Sequence, residues 1–146
     1  MTNQKILIVE DDENIRETMK NILEQNGYQI DEAKTGKEAE QKIQTNFYNL
    51  ALLDIKLPDM DGTKLLTKLQ NESPKMMKIM VTGYPSLENA IEALNQGADA
   101  YVTKPVKPAK LLEIIKEKLD EQNQADKMTE GKVTEWIKTR AKQLDE

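Results

Sequence analysis

Short apolar runs alternate with amphipathic segments over about the first 120 residues, and this alternation constrains the fold more than any other feature. Runs rich in Val, Ile and Leu, such as residues 5–9, are typical of strands buried on both faces of a parallel sheet. The segments between them carry apolar residues at intervals of three and four, which is typical of amphipathic helices. The predicted strands are residues 5–9, 28–33, 50–53, 78–82 and 100–103.

Turn and cap residues place the helices between these strands. Asp12 stands at the predicted N-cap of the first helix, and Gly27 follows the end of that helix. Ser86 stands at the predicted N-cap of the fourth helix, with Asn89 three residues later. The other helices are predicted over residues 37–46, 63–70 and 108–122.

Five strand–helix units in alternation predict an α/β fold, in which a five-stranded parallel sheet carries helices on both faces. Right-handed crossovers restrict such a chain to a doubly wound topology. About five units in this length suit the flavodoxin-like strand order 2-1-3-4-5 better than a full dinucleotide-binding fold. We therefore predict one domain over residues 1–122.

The remaining segment, residues 123–146, differs from the rest of the chain. The polar stretch 122–126 predicts a linker, and Gly131 interrupts the segment. The segment is too short to be a domain, so we expect its helix to dock on its own sheet domain, to pair with another chain, or to remain partly disordered alone. Apolar residues share one face of this predicted C-terminal helix: Val133, Trp136, Ile137, Ala141 and Leu144.

Composition removes several classes of function. The chain has no Cys and no His, which excludes disulfides, thiolate nucleophiles, histidine bases and imidazole metal ligands. Its net charge of -5 argues against nucleic acid as the main partner. No apolar run approaches the roughly 20 residues of a membrane helix, and the N-terminus lacks a signal-peptide pattern. We therefore expect a cytoplasmic protein that does not bind a membrane.

Acidic residues follow two of the predicted central strands. Glu10, Asp11 and Asp12 follow the first strand, and Asp54 follows the third. The carboxyl ends of these strands flank the point where the strand order reverses, which is the usual place for a site in such a sheet. A single Asp there would be an ordinary cap or turn residue, and Asp12 fits that role. Together, crowded carboxylates repel one another unless a cation lies among them, and oxygen ligands suit Mg²⁺ or Mn²⁺.

Two further polar residues lie at the ends of the neighbouring strands. The fourth strand ends in Thr82, and Lys104 follows the fifth. Alone, Thr82 would be a strand terminus and Lys104 a solvated charge. A carboxylate beside Mg²⁺ is a competent nucleophile toward phosphorus, and an ammonium and a hydroxyl can hold the phosphoryl oxygens. The combination predicts phosphoryl transfer to a carboxylate.

Four motifs, in this order, resemble the receiver domain of two-component response regulators. They are Ile-Leu-Ile-Val-Glu-Asp-Asp, Leu-Leu-Asp-Ile-Lys-Leu-Pro-Asp-Met-Asp-Gly, Val-Thr-Gly-Tyr and Ala-Tyr-Val-Thr-Lys-Pro. The likeness covers about residues 4–120. It implies a phosphorylation-dependent signalling switch rather than an enzyme, because such a domain catalyses only its own phosphorylation and slow dephosphorylation.

The resemblance implies a role for each site residue. Asp54 accepts the phosphoryl group from a histidine kinase or a histidine phosphotransfer protein. Thr82 and Lys104 contact that group, and the Lys104-Pro105 bond is similar to the cis peptide of the family. Tyr101 matches the aromatic residue that turns inward on activation. The implied metal ligands are Glu10, Asp11, Asp54 and the backbone carbonyl of Lys56.

The family also implies a conformational switch. Thr82 moves toward the phosphoryl group, Tyr101 fills the vacated space, and the surface of the fourth helix, fifth strand and fifth helix changes. That surface is expected to bind a protein target or to support onward phosphotransfer, and a homodimer through it or through the C-terminal helix stays open. Lys56 and Tyr84, two residues beyond Asp54 and Thr82, are bulky and predict slow loss of the phosphoryl group.

Other classes of protein fit the sequence less well. A haloacid-dehalogenase-type phosphatase also uses an Asp and Mg²⁺, but its second Asp would stand at Lys56. A flavin-binding protein needs a loop rich in Gly and hydroxyl residues after the first strand, where this chain has four acids. A receiver-like scaffold that is not phosphorylated would lack the acceptor or the lysine. No effector domain fits into residues 121–146, so either the receiver stands alone or this segment is its output.

Overall fold

The computed structural model describes residues 4–83 and 86–144. In this part of the chain, five strands form one parallel sheet in the order β2-β1-β3-β4-β5, which confirms the predicted topology. The strands are β1 (Lys5–Val9), β2 (Gln29–Ala33), β3 (Leu50–Asp54), β4 (Met77–Thr82) and β5 (Ala100–Thr103). The helices are α1 (Glu13–Gln25), α2 (Gly36–Thr45), α3 (Gly62–Glu72), α4 (Leu87–Asn95) and α5 (Pro108–Leu144).

Each face of the sheet has its own apolar core, because successive strand residues point to opposite faces. Leu7 and Val9 of β1 pack in a cluster with residues of α2, α3 and α4. Ile6 and Ile8 pack in a second cluster with residues of α1 and α5. All five residues of β3 are buried, since this strand lies in the centre of the sheet. The burial of strands on both faces explains why the sequence shows continuous apolar runs.

Side-chain caps fix the start of the helices near the carboxyl ends of the strands. The Asp12 carboxylate accepts a hydrogen bond from the Ile15 N–H at 3.0 Å, and the Ser86 hydroxyl accepts one from the Asn89 N–H at 3.0 Å. Both predicted N-caps are therefore confirmed. Asp61 caps α3 in the same way, with 3.1 Å between its Oδ1 and the backbone nitrogen of Thr63.

The C-terminal segment differs from the prediction, because α5 continues without a break to Leu144. The polar stretch 122–126, predicted to be a linker, is helical. It contains no proline, and Gly131 costs a helix only about 1 kcal/mol relative to alanine. Gln122 also has a structural reason to be polar, because it is buried and its Nε2 donates to the carbonyl oxygens of Asn49 at 2.9 Å and Lys75 at 2.7 Å.

Beyond Gln122, every α5 side chain that the structure describes is exposed. This part of the helix, residues 123–144, is about 33 Å long at 1.5 Å per residue. None of the described helices is both long enough and apolar enough to cross a membrane.

Candidate functional site

Three carboxylates meet at the carboxyl edge of the sheet. Glu10 follows β1 directly, Asp11 comes next, and Asp54 is the last residue of β3. Because Val9 and Leu53 are register partners, the ends of these two strands lie side by side. One carboxylate oxygen from each residue lies within 4.8 Å of the other two. Glu10 and Asp54 are buried and Asp11 is exposed, so the cluster is open to solvent on one side.

Lys104, which directly follows the edge strand β5, completes the cluster. The Lys104 Nζ donates a hydrogen bond to Glu10 and lies 3.3 Å from Asp54 Oδ2, so it contacts two of the three carboxylates. The peptide bond between Lys104 and Pro105 is cis, as the sequence resemblance implies. The backbone N–H of Lys104 donates to the carbonyl of Thr82 at 2.7 Å, which holds this turn against the end of β4.

The pKa values of the cluster are shifted because negative charges lie close together in a partly buried site. Burial, and to a lesser degree the adjacent Asp54, raise the pKa of the Glu10 carboxyl to about 7, because Lys104 opposes them only in part. Burial alone would lower the pKa of Lys104, but its contacts with Glu10 and Asp54 outweigh that effect and raise it. The site thus has more negative charge than its lysine neutralises. An additional cation would relieve this imbalance.

Arg16 holds the backbone of Glu10 in place beside the acidic cluster. The sequence did not predict this role. The residue is buried, and its Nη1 donates to the carbonyl oxygen of Glu10 at 2.9 Å. Its Nε lies 3.5 Å from Glu32 on β2. The signal was present in the sequence, because Arg16 shares the buried face of α1 with Met19 and Leu23. A charged residue on an apolar helix face needs buried partners.

The first residue of α3, Gly62, passes very close to the backbone of Asp54. A Cβ on Gly62 would lie 2.0 Å from the Asp54 carbonyl oxygen and 2.7 Å from the Ile55 Cα, so only glycine fits there. The backbone N–H of Lys56 donates to Asp54 Oδ1 at 3.3 Å. This contact places Lys56 beside the carboxylate, while the role of its carbonyl as a metal ligand stays a prediction.

Thr82 and Tyr101 lie on neighbouring strands beside the cluster. Thr82 is the last residue of β4 and is fully buried. Tyr101 pairs in register with Met80, two residues before Thr82. Its ring packs partly buried against the core, and its hydroxyl is buried without a hydrogen-bond partner among the described residues. Tyr84, which the sequence associates with slow dephosphorylation, lies outside the described residues.

The chain belongs to the response-regulator receiver domain family, since residues 6–116 match the family described as "Response regulator receiver domain". It is similar to a solved CheY-like receiver domain protein from Methanospirillum hungatei, with 56% identity and a TM-score of 0.83 over 85% of this chain and 99% of that one. It is also similar to the beryllofluoride-activated NtrC4 receiver domain dimer, with 36% identity and a TM-score of 0.78 over 81% and 98%.

Curated relatives extend the likeness to longer proteins. The transcriptional regulatory protein SrrA of Staphylococcus aureus is 39% identical over 116 residues, which are 80% of this chain and 47% of SrrA. The chain thus spans about half the length of the curated relatives it matches. The family is one of phosphoacceptor domains, so its membership makes this domain a component of phosphorylation-dependent signalling.

Proposed function

We propose that Asp54 is the residue that accepts a phosphoryl group from the phosphohistidine of a kinase or a phosphotransfer protein. The observation that carries this proposal is the position of the Asp54 carboxylate, which ends the central strand beside two other carboxylates with Lys104 Nζ at 3.3 Å. An Asp54 oxygen attacks phosphorus, a P–O bond forms and the P–N bond breaks. The electron pair returns to the imidazole nitrogen of the donor, which takes up a proton.

The oxygen-only ligand set fits a hard divalent cation. Glu10, Asp11 and Asp54, with the backbone carbonyl of Lys56, would hold Mg²⁺ or Mn²⁺, because these ions prefer carboxylate and carbonyl oxygens and need few protein ligands. When bound, the ion neutralises charge on the phosphoryl oxygens. Glu10, being buried, would be held in place by Lys104 and, through its backbone, by Arg16.

Lys104 and Thr82 have separate tasks in this proposal. Lys104 already contacts Asp54 and would follow the new phosphoryl oxygens, since an ammonium is a strong donor to such oxygens. The Thr82 hydroxyl would bind another phosphoryl oxygen. Movement of Thr82 would then leave space for the ring of Tyr101, which is partly buried beside it on β5. This repacking would alter the surface formed by α4, β5 and α5.

The altered surface has apolar residues available for a partner. Ile91 and Leu94 on α4 are 50% and 54% exposed. NtrC4, a similar receiver, is a dimer when activated with beryllofluoride. We therefore propose that phosphorylation changes how this surface binds a second copy or a downstream protein.

A groove beside Lys104 suits the protein that donates the phosphoryl group. It lies between α1 and the loop after β5, has a volume of about 470 Å³, and is lined mainly by apolar side chains. A helix carrying the phosphohistidine could pack its apolar face here while the histidine reaches Asp54. The lining includes Ile15, Met19, Ile22, Pro105 and Val106.

The decisive experiment is phosphorylation by a small phosphodonor with Mg²⁺, followed by mass spectrometry of the intact chain. We expect one phosphoryl group on the wild type and none on Asp54→Asn. Asp12→Asn is the matched control, because it removes an adjacent exposed carboxylate while asparagine still caps α1; it should be modified like the wild type. Equal labelling of Asp54→Asn, or no labelling of the wild type, would reject the proposal.

A further inference from the structure

The loop between β3 and α3, residues 55–61, contains Lys56, whose backbone carbonyl is a proposed metal ligand. It is called the β3–α3 loop below. The loop doubles back on itself, because Lys56 and Asp61 form an antiparallel bridge, and its tip is the stretch 57–60. Lys56 is exposed, so burial of its own side chain does not fix this part of the backbone. Contacts made elsewhere in the loop must therefore help to hold it.

Asp59, at the tip of the loop, binds the start of α2. Its Oδ1 accepts a hydrogen bond from the Gly36 N–H and its Oδ2 accepts one from the Lys37 N–H, both at 2.9 Å. These are the first two residues of α2, whose N–H groups have no partner inside the helix. The positive end of the helix dipole also favours a carboxylate there. The two donors lower the pKa of the Asp59 carboxyl, so it is ionised at neutral pH.

The next residue, Met60, makes a second contact with the same end of α2. A Cβ on Gly36 would lie 2.4 Å from Met60 Sδ and 2.6 Å from its Cγ, so the thioether fills the space that a side chain at position 36 would take. Met60 is partly buried against the apolar core on this face of the sheet. The tip of the loop therefore contacts α2 through a charged side chain and an apolar one.

The contact of Asp59 does more than end the helix. A local residue already caps α2, because the Thr35 hydroxyl accepts a hydrogen bond from the Glu38 N–H at 3.0 Å. Asp59 comes from a different part of the fold, 22 residues beyond Lys37. Since α2 is itself fixed to the core through the buried Ala39, the two hydrogen bonds of Asp59 set the position of the loop relative to the sheet.

We propose that Asp59 is a positioning residue for the divalent cation, because its contact with α2 keeps the arm of the loop that contains the Lys56 carbonyl beside Asp54. The Lys56 N–H already lies 3.3 Å from Asp54 Oδ1. This inference rests on the proposed function, in which these residues hold the ion, and Asp59 itself is not a ligand. Replacing groups that orient metal ligands commonly weakens binding by about 10- to 100-fold, and we expect about threefold to tenfold here, since only one proposed ligand belongs to the loop.

The first test measures Mg²⁺ binding to the full chain by isothermal titration calorimetry. We expect the Kd to rise by about threefold to tenfold in Asp59→Ala. Asp59→Asn has the same charge as Asp59→Ala but keeps one acceptor oxygen, so its Kd should lie between that of the wild type and that of Asp59→Ala. Equal Kd values for the wild type and Asp59→Ala would overturn the inference. Equal weakening in both variants would also overturn it, because charge alone would then explain the effect.

Thr35→Ala is the matched control, because it removes the other side-chain acceptor at the start of α2 and leaves the contacts of Asp59 in place. Loss of this cap should lower Tm, whereas Mg²⁺ should bind as it does to the wild type. If Thr35→Ala weakened Mg²⁺ binding as much as Asp59→Ala does, a general loosening of α2 would be responsible and the positioning role would be rejected.

The second test follows the rate of phosphorylation by a small phosphodonor as the Mg²⁺ concentration is raised. For Asp59→Ala, the half-saturating Mg²⁺ concentration should rise by the same factor as the Kd, while the rate at saturating Mg²⁺ stays within about twofold of the wild type, because excess ion restores occupancy. A lower rate at saturation with an unchanged half-saturating concentration would contradict a role in holding the metal ligand.

The inference and the proposed function can fail separately. A wild type that binds Mg²⁺ but is not phosphorylated would reject Asp54 as the acceptor, and the calorimetric comparison would still decide the role of Asp59. A wild type that is phosphorylated, with Asp59 variants that bind Mg²⁺ equally well, would overturn only the inference. A wild type that binds no Mg²⁺ would overturn both.

Discussion

The buried lysine of β4 offers a sharp test of how this fold balances buried charge. Lys78 is fully buried, and its Nζ donates three hydrogen bonds, to Gln70 Oε1 at 2.8 Å, the Ser73 carbonyl at 2.8 Å and the Met76 carbonyl at 2.7 Å. All three ammonium protons are therefore used. Its backbone N–H donates to Asp99 Oδ2 at 2.8 Å. The lysine ties the end of α3 to the start of β4.

The perturbation is Lys78→Met, which keeps most of the aliphatic volume and removes every donor. Hydrogen bonds to a charged group contribute about 1.5–3 kcal/mol each. Part of this is recovered, because Ser73 and Gln70 are only partly buried and can bind water, and because the cost of burying an ammonium disappears. The Met76 carbonyl stays buried and unpaired. We expect the free energy of unfolding to fall by about 2–4 kcal/mol and Tm to fall by roughly 6–15 °C.

The assay is urea unfolding followed by circular dichroism, with Lys64→Met as the control. Lys64 lies on α3 and is exposed, so its replacement should change stability by less than about 0.5 kcal/mol. If Lys78→Met is as stable as the wild type or more stable, the desolvation of the ammonium outweighs its three hydrogen bonds, and the reasoning is refuted.

The difference in stability between the wild type and Lys78→Met should also depend on pH. Burial lowers the pKa of Lys78 from 10.5, opposed in part by Asp99. Between the lowered pKa and 10.5 the unfolded chain binds more protons at this residue than the folded chain does. The stability of the wild type relative to Lys78→Met should therefore increase as pH rises through this window and level off above it. If the stability of the wild type relative to Lys78→Met fell as pH rises through this window, the pKa of Lys78 would not be lowered by folding.

Three other predictions concern single residues. Tyr48→Phe removes the 2.6 Å hydrogen bond that lowers the pKa of Asp31. It should reduce stability at pH 7 by about 1–2 kcal/mol, and this difference should vanish as pH falls below 3.8 through the lowered pKa; urea titrations at several pH values measure it. Gly62→Ala should push the start of α3 away from Asp54 and cut the phosphorylation rate about tenfold or more, as timed mass spectrometry would show; an unchanged rate would mean that the helix start shifts without disturbing Asp54. Lys56→Asn should shorten the phosphoryl lifetime, measured by the decay of phosphoprotein; an unchanged or longer lifetime would contradict the shielding role.

The fold was predictable because its three central strands, β1, β3 and β4, are buried on both faces and are therefore rich in consecutive apolar residues. The predicted strand order and the N-caps of α1 and α4 are confirmed. The meeting of Glu10 and Asp54 also followed from topology, since both stand at the ends of central parallel strands.

Features that depend on side-chain reach or on competing local signals were harder to predict. The contact of Arg16 with the carbonyl of Glu10 depends on a long side chain folding back across the helix, and only its place on the buried face of α1 hints at it. The polar stretch 122–126 looked like a linker because exposed helix and linker have similar compositions. The difference lies in tertiary contacts, because Gln122 donates hydrogen bonds to the carbonyl oxygens of Asn49 and Lys75.

Those two hydrogen bonds of Gln122 have a mechanical consequence. They fix α5 to the loops that precede β3 and β4, so the remaining length of the helix is a lever arm with its fulcrum at the lower rim of the sheet. A swing of only about 5° at that fulcrum would carry the far tip through roughly 3 Å over a 33 Å arm. Small repacking beneath the helix would thus reach a neighbouring molecule as a displacement as large as a side-chain contact.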